Sequence, residues 1–314
     1  MTVNAAVLKK NLRRIPSAAW ALLLLLVIYP MFTDLFWTVE NFINLGQQTT
    51  VLAILSLAMT LIILTEGIDL SSGALVSLCG VVLGVYLHSG GGLLGAVFVS
   101  IGVGVVVGAV NGFFISVPRL PPFVVTLGTM GMCQGLALVI TKGSSIPGFS
   151  ESFKYIAAGF IFGIPVPAII VAVMFFITHV MLYHTRFGTY IFSIGGNEEA
   201  VRLAGVNAVF HKTMVYMVAG AFGGVAGLIM TSRMNAAHPW VTVGMEFDAI
   251  VAVVLGGTSF TMGKGNPIGS LIGAFTIAVL KNGMNILGVP TALQVAFVGL
   301  FLILAVIYDS LKSE

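Results

Sequence analysis

The sequence predicts an all-α polytopic membrane protein, a bundle of about ten transmembrane helices with some broken or re-entrant segments and both termini cytoplasmic. Three observations predict it. Hydrophobic residues make up 58% of the 314 positions and charged residues only 8%. An average soluble domain carries about 25% charged residues, so this chain lacks the polar cover for a soluble surface. Apolar runs near the ~20 residues that cross a bilayer recur along it, parted by short polar links. Glycine is abundant, at 38 residues, and much of it recurs at i, i+4, the spacing that lets helix backbones approach closely where apolar burial gives no drive.

Taken in order, residues 1–17 form a polar cytoplasmic lead with Lys9, Lys10, Arg13 and Arg14. An apolar run follows with no small-residue cleavage site behind it, so it reads as an uncleaved first span, about 18–36, with Trp20 and Trp37 near opposite interfaces. A polar link over 38–46 leads to a second span, about 48–64. Thr65–Gly73 then precedes a third span that ends near Leu87, and the fourth runs 93–117. Pro118, Pro121 and Pro122 break the chain, because proline cannot continue a helix and restricts the residue before it. The fifth span, 123–140, is followed by a loop to Val166 that carries a short surface helix around Glu151–Ala158. The sixth is 167–182, and the seventh is 213–232. An eighth segment, 248–257, is too short to cross and reads as broken or re-entrant, which membranes tolerate only where protein or water covers the backbone. The ninth and tenth are 268–287 and 293–308. The transmembrane domain is thus 18–308, and 309–314 is a cytoplasmic tail. Eight or nine spans follow if short segments re-enter.

With the N-terminus inside, ten of the fourteen basic residues fall on the cytoplasmic side. Only Lys142, Lys154, Arg233 and Lys281 fall outside. The excess supports this orientation. Basic residues gathered on one side of a membrane do not imply nucleic-acid binding. Gly104, Gly108 and Gly112 share one helix face, as do Gly220 with Gly224, Gly223 with Gly227, and Gly269 with Gly273. TEGIDLSSGAL and GGTSFTMGKGNPIGSLIGA form a short, weak internal repeat of the kind found in transporters.

The longest polar interruption, 183–212, carries Arg186, Arg202 and Lys212, a Gly195-Gly196-Asn197 turn, and a short helix from Glu198 and Glu199 onward. Acids at that position sit at the positive end of the helix. Two readings fit: a solvated connector, or a docking surface for a soluble partner.

Signals for catalysis are weak. The five histidines are scattered without metal-ligand spacing, and no metal site is expected. His179 reads as a packed interfacial residue, and Cys79 and Cys133 as small core residues. GGTSFTMGKGN fails as a phosphate loop, because its glycine spacing is one too long and Gly265 stands where a magnesium-binding hydroxyl belongs. No ATP site is therefore expected on this chain. Asp69, followed by Ser71 and Ser72, reads as a helix-capping acid. No Lys/Asp pair of the kind that drives proton-coupled carriers stands out. Polar residues within the spans are mostly neutral. Thr126, Thr129, Gln134, Asn282 and Asn285 are candidates to line a pathway for an uncharged polyol or sugar, though each is equally able to bridge helices.

Four blocks then resemble the permease subunits of ATP-driven (ABC) monosaccharide importers of the ribose type. They are LTEGIDLSSGALVSL (64–78), RLPPFVVTLGTMGMCQGLALVIT (119–141), FGTYIFSIGGNEEAVRLAGVN (187–207) and GMEFDAIVAVVLGGTSFTMGKGNPIGSLIGA (244–274). The resemblance implies that the 183–212 loop seats a short helix in a groove of the ATPase. Glu199, Ala200 and Gly205 match that family's spacing with Val201 for its second alanine, and Gly196, Asn197, Glu198 and Arg202 flank them. It also implies a second permease subunit, identical or related, a separate ABC ATPase that holds ATP and magnesium, and a periplasmic sugar-binding protein. The setting would be the inner membrane and its lipid. Ribose, other monosaccharides and autoinducer-2 stay open as cargo. A self-sufficient secondary carrier or channel is the competing reading, and a membrane enzyme is the weakest.

Overall fold

The structure is a computed structural model that describes residues 17–313. The expected cytoplasmic lead therefore lies outside the described residues except for Ser17, as does Glu314 of the tail. Among the described residues there are twelve α-helices and two pairs of two-residue strands. Helix α1 (Ser17–Ile28) gives way to a 3-10 turn, Tyr29–Met31, with Pro30 inside it, so the first apolar helix is shorter than the hydropathy pattern suggests. Helix α2 spans Val39–Ile63. Its Thr38 cap accepts the Asn41 N–H at 3.3 Å, which makes the expected 38–46 link the first turns of a helix instead. Helices α3 (Ser72–His88), α4 (Leu93–Ser116) and α5 (Pro122–Thr141) follow.

The next loop holds β1 (Ile146–Pro147) and the amphipathic helix α6 (Glu151–Ala158), which buries Phe153 and Ala157. A hairpin of β2 (Phe160–Ile161) and β3 (Ile164–Pro165) leads into α7 (Val166–Tyr183). Helix α8 (Arg186–Leu203) precedes α9 (Ala208–Met234), and β4 (Ala236–Ala237) pairs antiparallel with β1. The chain ends in α10 (Met245–Leu255), α11 (Pro267–Ile286) and α12 (Thr291–Ser313).

Six of these helices (α2, α4, α5, α7, α9 and α11) are long and apolar enough to cross a membrane, and three further apolar stretches are shorter. The eighth predicted segment is the eleven-residue α10. At 1.5 Å per residue it rises only about 16 Å, half a hydrocarbon core. Its backbone is covered, for Asp248 through Leu255 are all buried.

Helix α2 is the axis of the bundle. In its most apolar window 83% of residues are buried, against 17–22% for α4, α5 and α7, whose apolar side chains face outward. Helices α9, α10, α11 and α7 surround it. Helices α4 and α9 make the most extensive helix pair among the described residues. A Cβ at Gly104 would strike the Gly220 carbonyl, and one at Gly108 the Tyr216 carbonyl. The adjacent glycine face of α9 receives α3: a Cβ at Gly227 would lie 2.8 Å from the Val76 oxygen. Gly269 and Gly273 of α11 meet the backbone of Gly256 and Ala252 in the same way. Of the i, i+4 glycines named from the sequence, all but Gly223, which meets the Leu75 side chain, thus mark close approaches to a neighbouring backbone, as their spacing predicts.

Candidate functional site

The polar 183–212 segment is more helical than its sequence suggests. Helix α8 starts at Arg186, behind a Thr185 cap that accepts the Gly188 N–H at 3.3 Å. Gly195 and Gly196 continue the helix, and only Asn197 leaves it, with φ −165° and ψ 96°. Its Oδ1 then accepts the Ala200 N–H at 2.9 Å, so it caps a second short helix at the expected place. That helix ends in a Schellman motif. The Val206 N–H reaches the Val201 carbonyl (3.2 Å), the Gly205 N–H reaches the Arg202 carbonyl (3.0 Å), and Gly205 takes φ +81°.

Two anchors hold this tip. Ile194, Val201 and Ala208 form a small apolar cluster with Val206 against it. Glu198 is ion-paired to Lys212 at 2.7 Å. Below the kink, Gly195 and Phe192 rest on two loops at once. A Cβ at Gly195 would strike the Leu64 carbonyl and come within 2.8 Å of the Gly263 Cα, and one at Gly263 would strike the Phe192 carbonyl. The two loops that resemble each other in sequence, after α2 and after α10, therefore meet beneath α8.

Of the predicted docking residues, Gly196, Asn197, Glu199, Ala200, Arg202 and Gly205 are all exposed on this tip, and Glu198 is half-buried beside them. Sequence reasoning missed Leu203, which is 84% exposed. A leucine standing free on a polar helix was the available signal. A groove of about 220 Å³ lies beside it between Arg202 and Val209.

Four of the five pathway candidates fall into separate hydrogen-bonded clusters. Thr126 accepts the Leu70 N–H (3.1 Å) and donates to the Pro122 carbonyl (2.9 Å). Thr129 donates to Asn111 Oδ1 (2.6 Å), the Asn111 amide donates to Ser71 Oγ (3.0 Å), and Ser71 Oγ donates to Asp69 (2.6 Å). Asp69 also accepts the Ser71 N–H (2.7 Å), the helix-entry role its sequence context suggests. Asn282 exchanges hydrogen bonds with Asn41 (2.8 and 3.1 Å), and the exposed Asn285 accepts from Gln294 (2.7 Å). Gln134 is half-buried, with no hydrogen-bond partner among the described residues.

One reading is corrected. A Lys/Asp pair does exist, between Lys281 of α11 and Asp248 of α10. Thirty-three residues separate the two positions, and nothing in the local pattern joins them. Cys79 and Cys133 are free, buried core residues. His179 packs among Phe175, Tyr183 and His184.

The family model described as "Branched-chain amino acid transport system / permease component" matches residues 41–306. The chain is 40% identical over 313 residues to the ribose import permease protein of Escherichia coli, covering 96% of this chain and 98% of that one. It is 35% identical over 296 residues to the D-allose transport system permease protein of Escherichia coli, with 93% and 91% covered. To the galactose/methyl galactoside import permease protein of Haemophilus influenzae it is 34% identical over 313 residues, with 93% of each covered. No solved structure matches the chain. A family match across most of the chain, joined to these near-full-length similarities, shows that the chain belongs to the branched-chain amino acid transport system / permease component family, together with the sugar import permeases it resembles.

Proposed function

We propose that this chain is the membrane permease subunit of an ATP-driven importer of a monosaccharide or related small polyol, ribose-type in its cargo. The supporting observation is near-full-length similarity to permeases named for ribose, allose and galactose. Autoinducer-2 stays within the cargo class, as a ribose-like molecule. On this reading residues 18–308 form the permease domain of about ten membrane segments in the bacterial inner membrane, with cytoplasmic ends at 1–17 and 309–314. A second permease subunit completes the pathway, a periplasmic binding protein delivers the sugar, and a separate ATPase holds ATP and magnesium. The subunit transports and carries no reaction of its own.

Coupling runs through the 183–212 segment. A capped, doubly anchored helix tip moves as a rigid body, and its base rests on the loops that follow α2 and α10, so a push at Glu199 or Arg202 reaches α2 and the loop that leads into α11 together. Against a self-sufficient carrier stands the similarity to import permeases over the whole length.

Co-purification of the tagged permease with its candidate ATPase tests this reading, comparing wild type with Glu199→Arg and Gly205→Trp. Retention by wild type and loss by both folded variants is the expected result. If wild type retains no ATPase, or the variants retain it equally, the docking assignment is wrong.

A further inference from the structure

A cleft of about 210 Å³ opens between the α4–α5 turn and the start of α9. It is lined by Ile115, Ser116, Arg119, Pro121, Glu198 and Lys212, among others. Three of its features ask for an anion. Ser116 is 5% exposed and its Oγ has no hydrogen-bond partner. The carbonyl a helical serine ordinarily bonds, four residues back at Gly112, accepts Thr213 Oγ1 at 3.3 Å. A buried hydroxyl without a partner carries a desolvation cost that a ligand oxygen would relieve. Arg119 is exposed, is held at φ +57°, and has no ion-pair or hydrogen-bond partner among the described residues. Finally, α5 begins here at Pro122 with no side-chain cap, so the positive end of a twenty-residue helix dipole lies at the cleft, although Pro121 and Pro122 bring no N–H donor to it.

Charge and surroundings narrow the ligand. Lys212 is already neutralised by Glu198, which leaves one net positive charge, that of Arg119. A phosphodiester carries one negative charge. Next to the cleft along the chain the surface is apolar and exposed, at Phe113 and Phe114 of α4, Leu120 of the turn and Phe123 of α5. A ligand with a phosphodiester head and hydrocarbon tails meets both demands, and a free inorganic anion meets only one.

We infer that the Ser116–Arg119 cleft binds the phosphodiester headgroup of an anionic phospholipid whose acyl chains lie along α4 and α5. Arg119 supplies the charge and a forked donor set, Ser116 its hydroxyl, and the α5 terminus its dipole. Glu198 lines the same cleft, which places the lipid beside the ion pair that anchors the α8 tip.

The test is lipid retention by the full-length protein purified in a neutral detergent. Phosphatidylglycerol or phosphatidylcholine is added and counted by native mass spectrometry. Wild type is expected to retain phosphatidylglycerol about tenfold over phosphatidylcholine, the size of one charge-assisted contact. Arg119→Gln is expected to bring the two to parity, Arg119→Lys to restore part of the preference, and Ser116→Ala to reduce it. Arg119 has no protein partner to lose, so the thermal midpoint of Arg119→Gln in phosphatidylcholine should equal that of wild type. Equal retention of both lipids by wild type overturns the site, as does a preference that survives Arg119→Gln. Full displacement of phosphatidylglycerol by equimolar inorganic phosphate overturns the lipid assignment.

Discussion

Gly195 of α8 lies against the carbonyl oxygen of Leu64, the residue that closes α2, with no room between them for a single methyl group. The helix that carries the candidate docking tip is therefore in backbone contact with the axis of the bundle. Gly195→Val must push α8 off this seat. Overpacking of a well-filled contact costs about 1–3 kcal/mol. A lowered thermal midpoint, together with ATPase-dependent uptake lost beyond what the drop in folded protein explains, is the expected result. Uptake that falls only in step with folded protein would give Gly195 a packing role alone.

Leu203 gives the opposite expectation. It is exposed and part of no described core cluster, so Leu203→Asp should change stability by less than about 0.5 kcal/mol. On the proposed docking surface it is an apolar anchor ringed by Glu199, Arg202 and Gly205. A buried charge at such a position weakens an interface by about 2 kcal/mol or more. Titration of the ATPase against the purified permease should then show at least tenfold weaker binding, with an unchanged thermal midpoint.

The fold class and most helix ends were legible because they are local. Composition, run length, proline breaks and the i, i+4 glycines each carry their meaning within a few residues. What depended on the far side of the bundle was not legible. Nothing in residues 39–63 says that this helix is surrounded, since outward-facing α4, α5 and α7 are at least as apolar. The start of α8 at Arg186 was hidden by Gly195 and Gly196, a pair that normally ends a helix, yet here the helix runs through both and Gly195 lets it sit on Leu64 and Gly263. The docking residues were readable as a resemblance, and their shared exposure came only with the fold. Ser116 and Arg119 sit on either side of a proline break that reads as a turn, and their cleft needs Lys212 from another helix to exist.

The Lys281–Asp248 pair joins the short α10 to α11. Asp248 is buried and Lys281 about one-third exposed, so the pair is neither fully desolvated nor free in water. Removing one partner of a fully buried pair costs about 3–5 kcal/mol, and exposed pairs contribute about 0–1 kcal/mol. Lys281→Met should fall between, at about 1–3 kcal/mol, because it leaves Asp248 without its cation. Adding Asp248→Asn should recover part of that loss. A double-mutant cycle on thermal unfolding measures the coupling, and additive losses would show that the pair does not hold α10 in place.

Thr129 and Gln134 separate structure from pathway within one helix. Both lie on α5, five residues apart, and both were candidates from polarity alone. Thr129 is buried and completes the chain through Asn111 and Ser71 to Asp69. Thr129→Val leaves the Asn111 oxygen without a donor, which costs about 1–3 kcal/mol. Its thermal midpoint should fall, and its uptake should follow the amount of folded protein. Gln134 is half-buried and makes no protein hydrogen bond, and its neighbours Gly131 and Gly135 have open space where a Cβ would stand. Gln134→Leu should leave the thermal midpoint within about 0.5 kcal/mol of wild type. If that face of α5 meets the cargo, the loss of its amide should lower sugar uptake per folded transporter several-fold, with ATPase binding intact. Unchanged uptake by Gln134→Leu would remove α5 from the pathway and shift the search to the exposed amide of Asn285.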